Sequence, residues 1–319
     1  MLEEWDEPKR SDEGHSNVKK GDMKMNRVKE VFFPAVTRRA EHLAMRLPSS
    51  RAMVRNKLNP WLRTAGIVVS IAILAAPVLA ADSDEELAKK SQNPIANLIS
   101  LPLQNDWNFN SGPHDDKTSY TLNVQPVWPF SLSEEYLLIT RTILPVKSIE
   151  FPRNETGIGD ILQSFFLSPK KTVGGWIVGA GPVFNYPTAS DDSLGSGKWG
   201  AGPTAVMLRQ DGGWTYGLLT NHVWSFAGNS SRSEVSATFL EPFISFTTKT
   251  YTSLGLNTES TYDWKAGQWT VPVNFMLQQM VKIGGQPISL QLGYRYYAEK
   301  PDHGPDWGVR FQMTFLFPK

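Results

Sequence analysis

From about residue 97 to the end of the chain, apolar and polar residues alternate with a period of two over runs of ten or more positions, broken at Gly, Pro, Asp and Asn. The closing run is the clearest. Val309, Phe311, Met313, Phe315 and Phe317 share one face, and Arg310, Gln312, Thr314 and Leu316 share the other. Tyr120, Leu122, Val124, Trp128 and Phe130 alternate in the same way with Thr121, Asn123, Gln125 and Val127, and Trp269, Val271, Val273, Phe275 and Leu277 oppose Thr270, Asn274, Met276 and Gln278. Twelve strands are predicted, at 97–109, 118–130, 135–146, 158–169, 175–188, 197–210, 214–228, 234–247, 251–262, 268–281, 287–298 and 306–317. Longer polar connections alternate along the chain with short ones.

An apolar face backed by Asn, Gln, Thr and Arg does not suit a soluble sandwich, whose outer face would carry Lys and Glu. It suits a closed antiparallel transmembrane β-barrel, greasy outside and wet inside, with short periplasmic turns and longer outer loops. Each strand exceeds the roughly 9 to 11 residues that cross an apolar bilayer core. Closure is required, because an open edge in lipid would leave backbone groups unpaired. Tryptophans near strand ends suit the two interfacial girdles.

The first eighty residues are a different material. They hold 14 basic and 9 acidic residues, against 18 and 22 in the rest, and none of the nine Tyr. Residues 53–80 have the layout of a secretory signal peptide: Arg55, Lys57 and Arg63, an apolar run, then small residues, with the cut placed between Ala80 and Ala81. Residues 1–52 read as a disordered extension or as the product of a mis-assigned start, with translation expected from Met53. Residues 81–96 read as a charged periplasmic lead-in, and 97–319 as the barrel. With no cysteine in the chain, disulfide frameworks, thiol nucleophiles and cysteine-ligated metals are excluded.

Placing the polar face inward puts Asp106, Arg141, Asp160, Glu241, Glu259, Arg295 and Arg310 in the lumen, since an arginine facing lipid near the midplane costs about 2 to 4 kcal/mol. A turn centred on Thr250 makes Glu241 and Glu259 cross-strand neighbours, and a loop centred on Asp302 and His303 does the same for Arg295 and Arg310. Like charges directly opposite are destabilising, so a counter-ion is needed, and Asp106 is the candidate for the two arginines. Failing that, acidic and basic walls would face each other across water and set up a transverse field that orients polar solutes. A salt-bridge network that plugs the barrel is the competing expectation.

Several segments carry a resemblance: NPIANLISLPLQNDWNFNSGP, NVQPVWPFSL, GIGDILQSFFLSP, GPVFNYPTAS, KWGAGPTAVML, GWTYGLLTNHVWSFAG, NTESTYDWKAGQWTVPVN and KIGGQPISLQLGYRY. Together they resemble proteobacterial outer-membrane barrels of a transporter-like family, some mislabelled neuromedin U, similar to the outer-membrane family linked to the meta-cleavage pathway of phenol degradation. The resemblance covers about 93–319 and implies fold and compartment, the outer membrane of a Gram-negative bacterium, without catalytic residues or a substrate. The alternating aromatics Phe311, Phe315 and Phe317 are expected to serve as the C-terminal signal for the outer-membrane assembly machinery, although Pro318 and Lys319 follow them.

The functional expectation is a monomeric passive channel or facilitator for small solutes, hydrophobic ones among them. A sealed structural or surface-interaction barrel is the alternative, and a lipid hydrolase comes third. His222 and Ser225 form the only close His and Ser pair considered for hydrolysis, and residues three apart on a strand point to opposite faces. No enzyme activity, cofactor or metal is expected. The acidic pair Asp191 and Asp192 is too small a donor set for a cation that wants six or more oxygens. Nucleic-acid binding finds no support in an acidic mature chain without a basic stripe.

Overall fold

The computed structural model describes residues 84–318. The expected extension, signal peptide and Ala80–Ala81 cleavage site lie outside them. The described residues open with a helix, α1 (Asp84–Ser91), followed by fifteen strand segments. These are β1 (Ile99–Ser111), β2 (Lys117–Val124), β3 (Val127–Ser131), β4 (Tyr136–Ile149), β5 (Glu155–Ile158), β6 (Ile161–Pro169), β7 (Ile177–Tyr186) and β8 (Lys198–Asp211). They continue with β9 (Trp214–Gly228), β10 (Ser236–Thr247), β11 (Thr252–Thr258), β12 (Ser260–Asp263), β13 (Gln268–Ile283), β14 (Gln286–Glu299) and β15 (Trp307–Phe317).

Three pairs of segments, β2 with β3, β5 with β6 and β11 with β12, are single staves interrupted by a few residues, so the wall has twelve staves. Every neighbour is antiparallel, and β1 pairs with β15 from Ile99↔Phe317 to Phe109↔Trp307, which closes the barrel. The interruptions have local causes. Pro126 separates β2 from β3. Glu259, between β11 and β12, donates its N–H to the Pro272 carbonyl, and Pro272 has no N–H to return. Among the described residues no helix is long and apolar enough to cross a membrane.

The tight end of the barrel holds turns such as Gly212–Gly213 and Gly284–Gly285. The latter pair has φ of +59° and +86°, the two left-handed residues that a two-residue type I′ hairpin demands. Connections at the other end are mostly longer, reaching 187–197; residues 170–176 are the longest at the tight end.

Outward positions carry exposed apolar groups, among them Trp128, Trp199, Trp214, Phe275, Leu292 and Tyr294. The last strand keeps the expected faces, with Arg310, Thr314 and Leu316 buried inside and Val309 exposed outside. Phe311, Phe315 and Phe317 lie on the outward face of the closing stave.

Two findings differ from expectation. Part of the inner wall is apolar: Val127, Leu137, Ile139, Phe166, Val206, Leu208 and Leu219 form one cluster around Ile95. The expected lead-in, 81–96, is in its described part a helix and turn packed inside the tight end of the barrel. Leu87, Ala88, Ala96 and Leu98 bury against Met280 and Leu316. The two findings explain one another. An inner wall wetted by water would not be apolar, and this one is covered by the chain's own N-terminal segment. Burying side chains such as Leu87, Ile95 and Leu98 is worth on the order of 1.5 to 3 kcal/mol each.

Candidate functional site

Of the seven charged residues expected in the lumen, four meet in one buried cluster where the barrel closes. Arg310 of β15 stands directly opposite Asp106 of β1. Its Nε donates to Asp106 Oδ1 at 2.6 Å and its Nη2 to Asp106 Oδ2 at 3.1 Å. The other side of the same guanidinium grips Glu259, with Nη1 donating to Oε1 at 2.6 Å and Nη2 to Oε2 at 2.9 Å. Arg295 donates through Nη2 to Glu259 Oε2 at 2.6 Å and through Nε to Asn274 Oδ1 at 2.7 Å. Its Nη1 lies 3.6 Å from Asp106 Oδ2. Two arginines and two carboxylates thus balance within a bidentate, low-dielectric cluster, the geometry in which such pairs are strongest.

Asp106 is the expected counter-ion, but the register of the last hairpin differs from expectation. Arg295 pairs with Gly308 and Arg310 with Gly293, so the arginines are diagonal rather than opposite. The hairpin turns nearer 301 than 303. Each guanidinium therefore faces a position with no side chain, and a Cβ at Gly308 would lie 2.5 Å from the Trp107 carbonyl and 2.8 Å from Asn108 Oδ1. The other hairpin follows the expected register. Phe243↔Asn257 and Leu240↔Ser260 place Glu241 opposite Glu259.

Amides extend the cluster around the wall. Gln104 donates to Asp106 Oδ2 at 2.8 Å, Gln125 donates to Gln104 Oε1 at 3.1 Å, and Arg141 donates to Gln125 Oε1 at 2.8 Å. On the other side, Asn274 donates to Asn257 Oδ1 at 2.8 Å and Asn257 to Glu241 Oε1 at 2.9 Å. Gln125, Gln104, Asn274 and Asn257 are the members that charge-counting along the chain passes over. Their signal is an amide at an inward position on neighbouring staves.

Asp160 does not join this belt. It sits between β5 and β6, where the chain leaves the ladder and strand alternation no longer sets its direction. There it accepts from the Ser196 N–H at 2.7 Å, the Ser196 hydroxyl at 2.6 Å and the Ala189 N–H at 3.2 Å. It thereby ties down the 187–197 loop, whose Leu194 is buried and whose Leu194 carbonyl accepts from Lys147 Nζ at 3.0 Å. In the same loop Asp191 accepts from the Ser193 N–H and hydroxyl and pairs with Arg153, which together hold its carboxyl down to about 2.

Between the belt and the N-terminal segment lies a cavity of about 190 Å³, lined by residues such as Gln92, Arg141, Glu241, Glu259, Gln291 and Arg310. The segment is held over it by apolar packing and two polar bonds, Gln210 Nε2 donating to the Lys89 carbonyl at 2.8 Å and Gln278 Nε2 to the Ser91 hydroxyl at 3.0 Å.

The pair considered for hydrolysis is separated. Register places His222 opposite Thr238 on the outward face, while the neighbouring Asn221 opposes the buried, inward Thr204. Ser225, an odd-numbered position like Asn221, uses its hydroxyl to accept from the Val235 N–H. His222 Nδ1 instead lies 2.7 Å from Thr238 Oγ1, its ring packs on Trp224 at 4.0 Å, and a different serine, Ser236, stands 3.4 Å from Nε2. Thr238 also accepts from Trp264 Nε1 at 2.8 Å. His222 thus has a hydroxyl on Nδ1 in place of a carboxylate and a long contact to a serine, and it stands among aromatic side chains of the outer wall.

No protein-family model matches the chain, and no curated protein matches it. Solved structures do. The COG4313 outer membrane channel from Pseudomonas putida F1 superposes with a TM-score of 0.54 at 15% identity, covering 75% of this chain and 99% of that one. The NanC porin gives 0.46 at 11% identity, covering 69% and 100%. The outer membrane phospholipase A from Escherichia coli gives 0.39 at 13%, covering 73% and 95%. The fold is that of an outer-membrane β-barrel, and it is the first of these likenesses that carries this.

Proposed function

We propose that the chain is an outer-membrane channel that passes small solutes passively through a lumen narrowed by its own N-terminal segment. The observation that carries this reading is a partly open cavity, lined by charged and amide side chains beside apolar ones, inside a closed, greasy-walled barrel and bounded on one side by a non-covalently held segment. Twelve staves give an interior between that of filled eight-strand barrels and open sixteen-strand porins. The likeness to a barrel described as an outer membrane channel supports it.

Export under the 53–80 signal, insertion through the outward Phe311, Phe315 and Phe317, and a monomeric state belong to the same reading. Liposome swelling with solutes of graded size tests it. Rates that fall with solute size support a channel, and no swelling with any solute sinks it. The salt-bridged belt and the seated segment favour a second reading, a sealed barrel. That reading requires near-zero conductance even when the segment is dislodged.

A further inference from the structure

Among the described residues the belt leaves two opposite charges, Arg141 and Glu241, without a salt bridge. Glu241 and Glu259 stand across from each other, and both would be repelled without a cation. Glu259 has two, Arg295 and Arg310. Among the described residues Glu241 has no cation within ion-pair distance and accepts from the Asn257 amide. On the far side, Arg141 commits one of its five donors to the Gln125 amide, and among the described residues no carboxylate lies within ion-pair distance of it.

These two groups stand five staves apart around the wall and line the same cavity. Arg141 is on β4, the third stave, and Glu241 on β10, the eighth of twelve, and both line the cavity of about 190 Å³. Of the other cations lining it, Lys90 is engaged by Glu86 at 2.8 Å and Arg310 by Asp106 and Glu259. The Gln92 amide of the N-terminal segment lines it too, and its Nε2 is shielded from solvent without a hydrogen-bond partner. A cavity well below the roughly 300 Å³ of pockets that hold drug-sized molecules suits a solute of a few heavy atoms.

We infer that the gap between Arg141 and Glu241 is a binding site for a small zwitterion of the α-amino-acid type, its carboxylate received by the Arg141 guanidinium and its ammonium by the Glu241 carboxylate. The inference rests on the channel reading and names the solute class for which the lumen is poised. An arginine fork takes a carboxylate in two parallel hydrogen bonds. A solute that carries both charges matches both walls at once, whereas a simple anion or cation matches one and leaves the other half-buried charge unmet.

The test is calorimetric titration of the folded full chain in detergent with L-alanine, acetate, methylammonium and glycerol. Saturable L-alanine binding is expected, with acetate, methylammonium and glycerol at least about tenfold weaker. Arg141→Gln and Glu241→Gln should each weaken L-alanine by about tenfold or more while keeping the heat-modifiable gel mobility of a closed barrel. Absence of saturable L-alanine binding, equal binding of acetate or methylammonium, or unchanged binding in both folded variants would overturn the inference. If neither variant folds, the ligand series on the unaltered chain decides alone. Swelling of proteoliposomes in glycerol reads the channel without the site. Swelling without alanine binding removes this inference and leaves the channel, and alanine binding without swelling does the reverse.

Discussion

Arg310 and Asp106, 204 residues apart in the chain, face each other across the seam where the first and last staves join, and each is only 4% exposed. Removing one partner of such a buried pair strands the other. Asp106→Ala should therefore destabilise the folded barrel by about 3 to 5 kcal/mol. Replacing Asp106 by Leu together with Arg310 by Met should cost less than either single change, because no lone charge remains. Urea midpoints read by gel mobility check this, and a double variant weaker than both singles would contradict it.

The N-terminal segment is the removable part of the occlusion. Leu87→Asp combined with Ile95→Asp places carboxylates among Met280, Leu316, Phe166 and Leu208, so the segment should leave the lumen while the backbone ladder of the wall is untouched. Single-channel conductance in planar bilayers should rise severalfold. Unchanged near-zero current would establish the sealed barrel in its place.

Asp191 offers a pH test outside the membrane. Its folded carboxyl is held at about 2 by Ser193 and Arg153, below the ordinary value of about 3.9. A depressed acid contributes stability above its unfolded value and loses it as pH falls through the folded one. The 187–197 loop should therefore hold its arrangement through pH 4 and loosen near pH 2. An NMR titration of the Ser193 amide should show a midpoint near 2, and a midpoint near 4 would mean that these bonds do not form in solution.

Phospholipid hydrolysis should be absent. His222 contacts Thr238 and Trp224 on the outer wall, and Ser225 belongs to the other face. Turnover of a fluorescent phospholipid that disappears in His222→Ala would contradict this and would direct attention to Ser236.

All twelve staves are legible in the alternation, because turn residues such as Gly284 and Gly285 mark where each ends and a one-residue slip would turn every Trp and Phe to the wrong face. The hairpin that brings Glu241 opposite Glu259 is legible for the same reason: its turn is short. The hairpin of Arg295 and Arg310 is not, since a longer loop at 300–306 can turn at several points. Helix α1 is hidden because its eight residues, DEELAKKS, present only Leu87 and Ala88 as an apolar face. The apolar inner wall is hidden where it could have been noticed. Val206 and Leu208 are as greasy as their outward neighbour Met207, and a stave apolar on both faces announces that something covers it from within.

The closing seam also has a meaning in time. Its eleven paired positions join Ile99 to Phe317 and Phe109 to Trp307, so β1 can reach its native partner only after the final stave has been synthesised and delivered. Contacts this distant in sequence are slow to form. Without β15 the β1 edge lacks its eleven-position partner, and an unpaired strand edge invites pairing with another chain. Arg310 and Asp106 form the latch that closes only when β15 is in place.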